Sequence, residues 1–318
     1  MRDLTQGPIA RPIVALPVPI FAGMLLQTLY YFVDLYIVSR LGNAAIAGVS
    51  AAGNMAFLVF ALTQMLGVGV VALISQAVGR KNQTEANFIG NQSLVLALLL
   101  ASLTILCGYG YTRAYMGTIG ADAPTLLMGT TYLYWFLPGL ALQFALVAMG
   151  SALRGTGIVK PTMIVQALTV LVNIVLAPVL IVGWGSGRPL GVAGADLAST
   201  IAIACGVGLL AMYFFKLEKY VQMHPSTWVP RLAMWLRIFN IGLLAGGEFA
   251  LMFAYLAIIF WIIRTFGATA QAGFDIGSRV MQSIFLPAMA VAFATASIVG
   301  ENFGAQRAER VTKMRLPN

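Results

Sequence analysis

Three carboxylates lie in stretches where every near neighbour is apolar or small. Asp34 sits among Phe32, Val33, Leu35 and Tyr36, toward the end of an apolar run that opens near Ile13. Burial disfavours the charged form of such a group, which raises its pKa toward values at which a proton can be exchanged; a nearby Na⁺ acts the other way and holds the anion. Glu248, in GLLAGGEFALMF, has no Lys or Arg between Ile238 and Ile263 to pair with. Asp196 stands four residues before Thr200, a spacing that puts a carboxylate and a hydroxyl on one helical face. Oxygen ligands of this kind suit a hard cation or a proton. Each residue also has a plain structural reading: Asp34 reaching interfacial water or Arg40, Asp196 stabilised by the positive end of its helix.

Membrane helices must position these groups. Hydrophobic residues make up 60% of the 318-residue chain and charged residues 9%, against about a quarter charged in soluble domains. Runs long enough to cross a hydrocarbon core of about 30 Å recur at 13–38, 46–78, 91–112, 127–152, 161–183, 191–215, 238–263 and 276–300. The expected fold is an all-α polytopic membrane protein of about eight transmembrane helices, in contact with the lipid bilayer. The net charge of +9 comes from Lys and Arg spread between the spans rather than gathered on one basic face, which argues for topology and against nucleic acid. With the N-terminus inside, fourteen basic residues, Arg80, Lys81, Arg154, Lys160, Arg231 and Arg237 among them, fall on the inner side. Arg40, Arg113, Arg188 and Arg264 fall outside, which predicts a cytoplasmic N-terminus. Cys107 and Cys205 lie in apolar runs as small hydrophobes, His224 reads as a loop residue, and the first twenty residues lack the pattern of a cleaved leader.

The chain also repeats itself. Shifted by 225 positions, SRLGNAAIAG (39–48) falls on IRTFGATAQAG, so that Gly42 meets Gly267, Ala45 meets Ala270, Gly48 meets Gly273, Phe60 meets Phe285 and Gly79 meets Gly304. A unit of six helices follows: residues 1–220 as a first lobe, 221–237 as a cytoplasmic linker and 238–318 as the first two helices of a second lobe. Parallel repeats of this type are a secondary-transporter arrangement, and completing the second unit would take roughly 130 more residues, for twelve helices in all.

Three stretches carry a resemblance: VDLYIVSRLGNAAIAGVS (33–50), the segment 152–200 with RGTG, an asparagine in the next helix and GVAGA, and DIGSRVMQSIFLPAMAVAFATASIVGENFGAQRAERV (275–311). The chain resembles the multidrug and toxic compound extrusion (MATE) family. The resemblance implies two six-helix lobes around a central cavity that opens alternately to each side. It implies a plasma-membrane antiporter, in a bacterium the inner membrane, that exports amphipathic or cationic small molecules against inward Na⁺ or H⁺, as a monomer at full length, with no cofactor beyond the coupling ion. On this resemblance Asp34 matches the acidic residue of the first helix and Asn173 the asparagine of the fifth. The two together are a possible Na⁺ site, although Asn also serves as glue between membrane helices. One branch of the family has a second acid four residues after that asparagine; here the position is Ala177, and Asp196 with Thr200 is the candidate replacement. Glu248 matches an acidic residue of the sodium-coupled branch.

Tyr30, Tyr36 and Tyr134 are candidates to line a cavity for flat cations, or else face lipid. Pro17 and Pro19 offer a bend in the first helix. A lipid-linked oligosaccharide flippase of the same superfamily is the nearest alternative, but its phosphate would call for several basic residues within the spans. A membrane-embedded hydrolase would need a catalytic pair, and neither H-E-x-x-H nor G-x-S-x-G occurs, so no enzymatic activity is expected. No filter-like re-entrant segment points to a channel.

Overall fold

A computed structural model describes residues 17–39, 43–119, 123–184, 187, 189–216, 220–222, 227–263, 268–307 and 309, with backbone alone over parts of the first four helices and of the seventh and eighth. Among the described residues there are eight helices: α1 (Pro17–Ser39), α2 (Asn43–Gly79), α3 (Gln83–Ile119), α4 (Ala123–Gly155), α5 (Lys160–Ile181), α6 (Val192–Lys216), α7 (Leu232–Ile263) and α8 (Ala268–Gly304). In lipid every backbone polar group must be satisfied within its own segment, and helices achieve this along an apolar sequence. Seven of them, α2 to α8, contain stretches long and apolar enough to cross a membrane, and α1 contributes the shorter apolar stretch Pro17–Leu26. The all-helical membrane fold stands as expected.

α2 is the central element. It packs on α3 and α4 along one side and on α7 and α8 along the other, while α5 and α6 pair with each other and α1 lies between α5 and α8. One core, with Leu66, Leu73, Ile74, Phe144 and Leu153, joins α2, α3, α4 and α6 near the end where residues 220–231 run. A second, with Met116, Leu133, Ala177, Ile181, Ala195 and Ala198, joins α3 to α6 toward the opposite end.

The repeat seen in the sequence is built into the helix ends. At the end of α2, Asn82 N–H donates to the Ala77 carbonyl at 2.9 Å and Lys81 N–H to the Val78 carbonyl at 2.9 Å, with Lys81 at φ 57°. At the end of α8, Arg307 N–H donates to the Asn302 carbonyl and Gln306 N–H to the Phe303 carbonyl, with Gln306 at φ 57°. These are the same Schellman closure at the same 225-residue offset. The two helices also cross reciprocally. Gly79 rests on the Glu301 carbonyl, Gly304 rests on the Gln76 carbonyl, and the equivalent pair Ser75 and Gly300 meet between them. Such an isologous contact places a local two-fold axis at Ser75–Gly300, and a side chain at either Gly79 or Gly304 would strike backbone.

Several boundaries differ from expectation. α3 runs from Gln83 to Ile119 rather than 91 to 112, α8 begins at Ala268 rather than 276, and α7 begins at Leu232, inside the stretch expected as linker. Residues 83–90 are mostly polar, and apolar length alone could not count them as helix; residues 232–236, LAMWL, are apolar but stand between Arg231 and Arg237, which marks them as linker in the sequence. Pro17 and Pro19 open the described part of α1, and the chain before them lies outside the described residues.

Candidate functional site

Asn173 of α5 is fully buried. Its Nδ2 donates to Ser199 Oγ of α6 at 3.3 Å, and the Ser199 hydroxyl donates to the Ala195 carbonyl at 3.0 Å. The Asn173 Oδ1 is buried and has no hydrogen-bond partner among the described residues. An unmet acceptor of this kind costs about 1–3 kcal/mol, so the site is poised to take a proton donor or a cation. Asp196, 1% exposed, stands three residues before Ser199 on α6, so it shares a helical face with it. Ala177, Ala195 and Ala198 form the apolar wall beside this group.

Thr200 behaves differently from Ser199. Its hydroxyl donates to the Trp135 carbonyl of α4 at 3.1 Å, so the α6 residue that meets Asn173 is Ser199, which the spacing argument had passed over for Thr200. Two consecutive hydroxyl residues on a helix point about 100° apart, and only packing shows which one meets α5.

The remaining candidates are dispersed. α1 carries Asp34 and Tyr30, whose side chains lie outside the described residues. Tyr36 is exposed. Tyr134 stacks on Tyr109 of α3 with centroids 5.6 Å apart, and its carbonyl accepts the Tyr109 hydroxyl at 2.9 Å. Glu248 is exposed on α7, which packs on α2 and α3, so it belongs to a different part of the molecule from the α5–α6 group.

A second polar cluster lies at the end of α3 near residues 220–231, and no site expectation included it. Gln83 Nε2 donates to the Tyr220 carbonyl at 3.0 Å and Asn91 Nδ2 to the Gln222 carbonyl at 2.8 Å. Asn87 Oδ1 accepts the Gln222 N–H at 2.7 Å, and Asn91 Oδ1 accepts Trp228 Nε1 at 3.0 Å. Gln92, fully buried, donates to the carbonyls of Thr227 and Val229 at 2.7 and 2.8 Å and accepts the Arg231 N–H at 2.9 Å. Amides at 83, 87 and 91 recur every four residues along one helix face, a signal readable in QTEANFIGNQ once that stretch is known to be helical. Burial pushes the nearby Tyr220 phenol up, and the Glu301 carboxylate adds to the shift.

Against known families, the MatE model matches residues 19–179 and 244–314, well over half the chain. The chain belongs to the MatE family. Among curated relatives of this MatE chain, the probable multidrug resistance protein YoeA of Bacillus subtilis is 24% identical over 309 residues, 93% of the chain but 65% of YoeA. The FAD transporter of Shewanella oneidensis is 22% identical over 315 residues, covering 98% of the chain and 69% of the relative. Among solved structures, a MOP-superfamily transporter from Pyrococcus furiosus superposes with a TM-score of 0.88 at 25% identity, over 98% of the chain and 68% of that structure. The chain thus spans about two thirds of the length of these relatives.

Proposed function

We propose that this MatE chain serves in the bacterial inner membrane, N-terminus inward, to export amphipathic or cationic small molecules in exchange for inward-moving Na⁺ or H⁺. The observation that carries the reading is the buried Asn173 carbonyl oxygen left open beside Ser199, with the buried Asp196 about one turn away along the same helix. A carboxylate, an amide oxygen and a hydroxyl oxygen form an oxygen set that a hard cation or a proton can occupy. In this reading Asp196 supplies the charge that Ala177 lacks, and Asp34 on α1 supplies the second. Loading the site satisfies the open acceptor and neutralises a buried charge. The loaded and empty states therefore favour different packings of α1 against α5 and α6, which is what couples an ion to a change of access.

Membrane vesicles carrying the native gene product, loaded with a cationic dye under an imposed Na⁺ or H⁺ gradient, test it. Asp196→Asn and Asp34→Asn are each expected to slow gradient-driven extrusion at least ten-fold while leaving protein level unchanged. Extrusion at the wild-type rate by Asp196→Asn removes the site from the mechanism. Because one relative is named as a FAD transporter, the same vesicles loaded with FAD separate a dinucleotide cargo from a cationic one.

A further inference from the structure

Glu85 and Phe88 of α3 face the start of α7, and Gln92, one turn further on, holds the backbone that leads into it. Between the two helices lies an open trough of about 410 Å³ lined by Phe88, Arg231, Ala233, Met234 and Arg237. Glu85 is the acid at its edge, and it is already shared. Arg80 Nη2 approaches it at 3.1 Å and Arg237 Nη1 at 3.5 Å, so the group of Arg80, Arg237, Arg231 and Glu85 keeps an excess of two positive charges. Arg231 is not a loose surface residue. Gln92 holds its N–H, and with it the carbonyls of Thr227 and Val229, so the backbone that carries this guanidinium is fixed in advance. Immediately after it, the first N–H groups of α7, those of Leu232 and Ala233, have no acceptor within their own helix and point the positive end of α7 toward the same place. On the flank, Leu232 and Leu236 are 67% and 52% exposed and Trp228 and Val229 are exposed beside them.

Two guanidiniums, a helix N-terminus and a rim of exposed Leu and Trp at the mouth of a membrane-spanning helix match one ligand class. The head of an anionic phospholipid presents a phosphate that Arg can hold by paired hydrogen bonds, and its acyl chains need an apolar flank. A free phosphate would use the charges and leave the apolar rim without a role. We propose that the trough between α3 and α7 binds the headgroup of an anionic phospholipid, with Arg231 and Arg237 on the phosphate and Leu232 and Leu236 along the acyl chains. The lipid would then bridge α3 to the start of α7, across the linker that the amide row of α3 ties down. This site is separate from the Asn173 group and does not rest on the transport reading.

The test is lipid retention by the purified protein in bilayer discs of phosphatidylcholine doped with phosphatidylglycerol, read by native mass spectrometry. Wild type is expected to keep phosphatidylglycerol in preference to phosphatidylcholine. Each charge near the surface is worth about a five-fold change in anionic-lipid binding, so Arg231→Gln with Arg237→Gln should lower retention roughly twenty-fold. The corresponding pair of Lys substitutions should retain most of it. Glu85→Gln removes the competing carboxylate and is expected to raise retention several-fold, a gain that an unfolded variant cannot imitate. Arg113→Gln, on the far part of α3, should leave it unchanged. The proposal is overturned if the double Gln variant retains phosphatidylglycerol as wild type does, if Glu85→Gln lowers retention, or if inorganic phosphate alone displaces the lipid.

Discussion

Two polar groups of this bundle have opposite hydrogen-bond states. Along α3, the amides of Gln83, Asn87, Asn91 and Gln92 meet carbonyls, N–H groups and an indole of residues 220–231, and Gln92 alone makes three such bonds. Between α5 and α6, Asn173 makes one long bond to Ser199 and leaves its carbonyl oxygen open among the described residues. Both are built from amides, and Asn91 and Gln92 are as fully buried as Asn173. A polar group whose partners are complete holds structure together, whereas a buried acceptor without one weakens the fold until something fills it. The first cluster is therefore a strap, and the second is the better place to look for chemistry.

The largest expected effect attacks the strap. Gln92→Leu strands two carbonyls and an N–H at the start of α7, and is expected to cost about 3 kcal/mol, read as a lower midpoint in a detergent unfolding experiment and as faster tryptic cleavage within residues 216–231. Next comes the crossing that holds α8 on α2: Gly79→Ala drives a methyl into the Glu301 carbonyl and should cost about 2 kcal/mol by the same measurement, with Gly304→Ala costing a similar amount because the contact is reciprocal. Thr200→Val removes one neutral bond to the Trp135 carbonyl, for about 1 kcal/mol, and should leave ion dependence of transport as it was. Asn173→Leu is expected to shift stability least, within about 0.5 kcal/mol of wild type or slightly upward, because it removes an unmet acceptor together with its single bond. It should nevertheless abolish the response of dye extrusion to the ion gradient. If Asn173→Leu destabilised the protein as much as Gln92→Leu, the contrast between strap and site would be lost.

Which parts could be foreseen follows from the range over which each signal acts. Apolar length is summed over a whole span, so the helices announced themselves, and the offset of 225 residues was visible because matching glycines do matching jobs: Gly79 and Gly304 each accept the partner helix's backbone. The RGTG cue likewise has a local cause, with Gly157 at φ 74° closing α4 by bonds from Ile158 N–H to the Leu153 carbonyl and from Gly157 N–H to the Arg154 carbonyl. Residues 83–90 were passed over as loop for the opposite reason. Their polarity argues against a span, and their partners lie more than 130 positions away along the chain. Of the candidate site, Asn173 and Asp196 stand out in the sequence by residue type, whereas Ser199 and Thr200 are neighbours of similar chemistry that only packing separates.

Composition and periodicity, which need no knowledge of neighbours, were enough to establish a helical membrane protein with an internal repeat and isolated acids within its spans. Packing chose among side chains that the sequence leaves equivalent. It turned Ser199 toward Asn173 and Thr200 toward α4, set Arg231 and Arg237 around one trough, and tied residues 220–222 and 227–231 to α3. The reason is that a hydrogen bond or a close contact depends on angles and distances of a few ångströms between segments far apart in the chain, and those distances exist only once the helices have met.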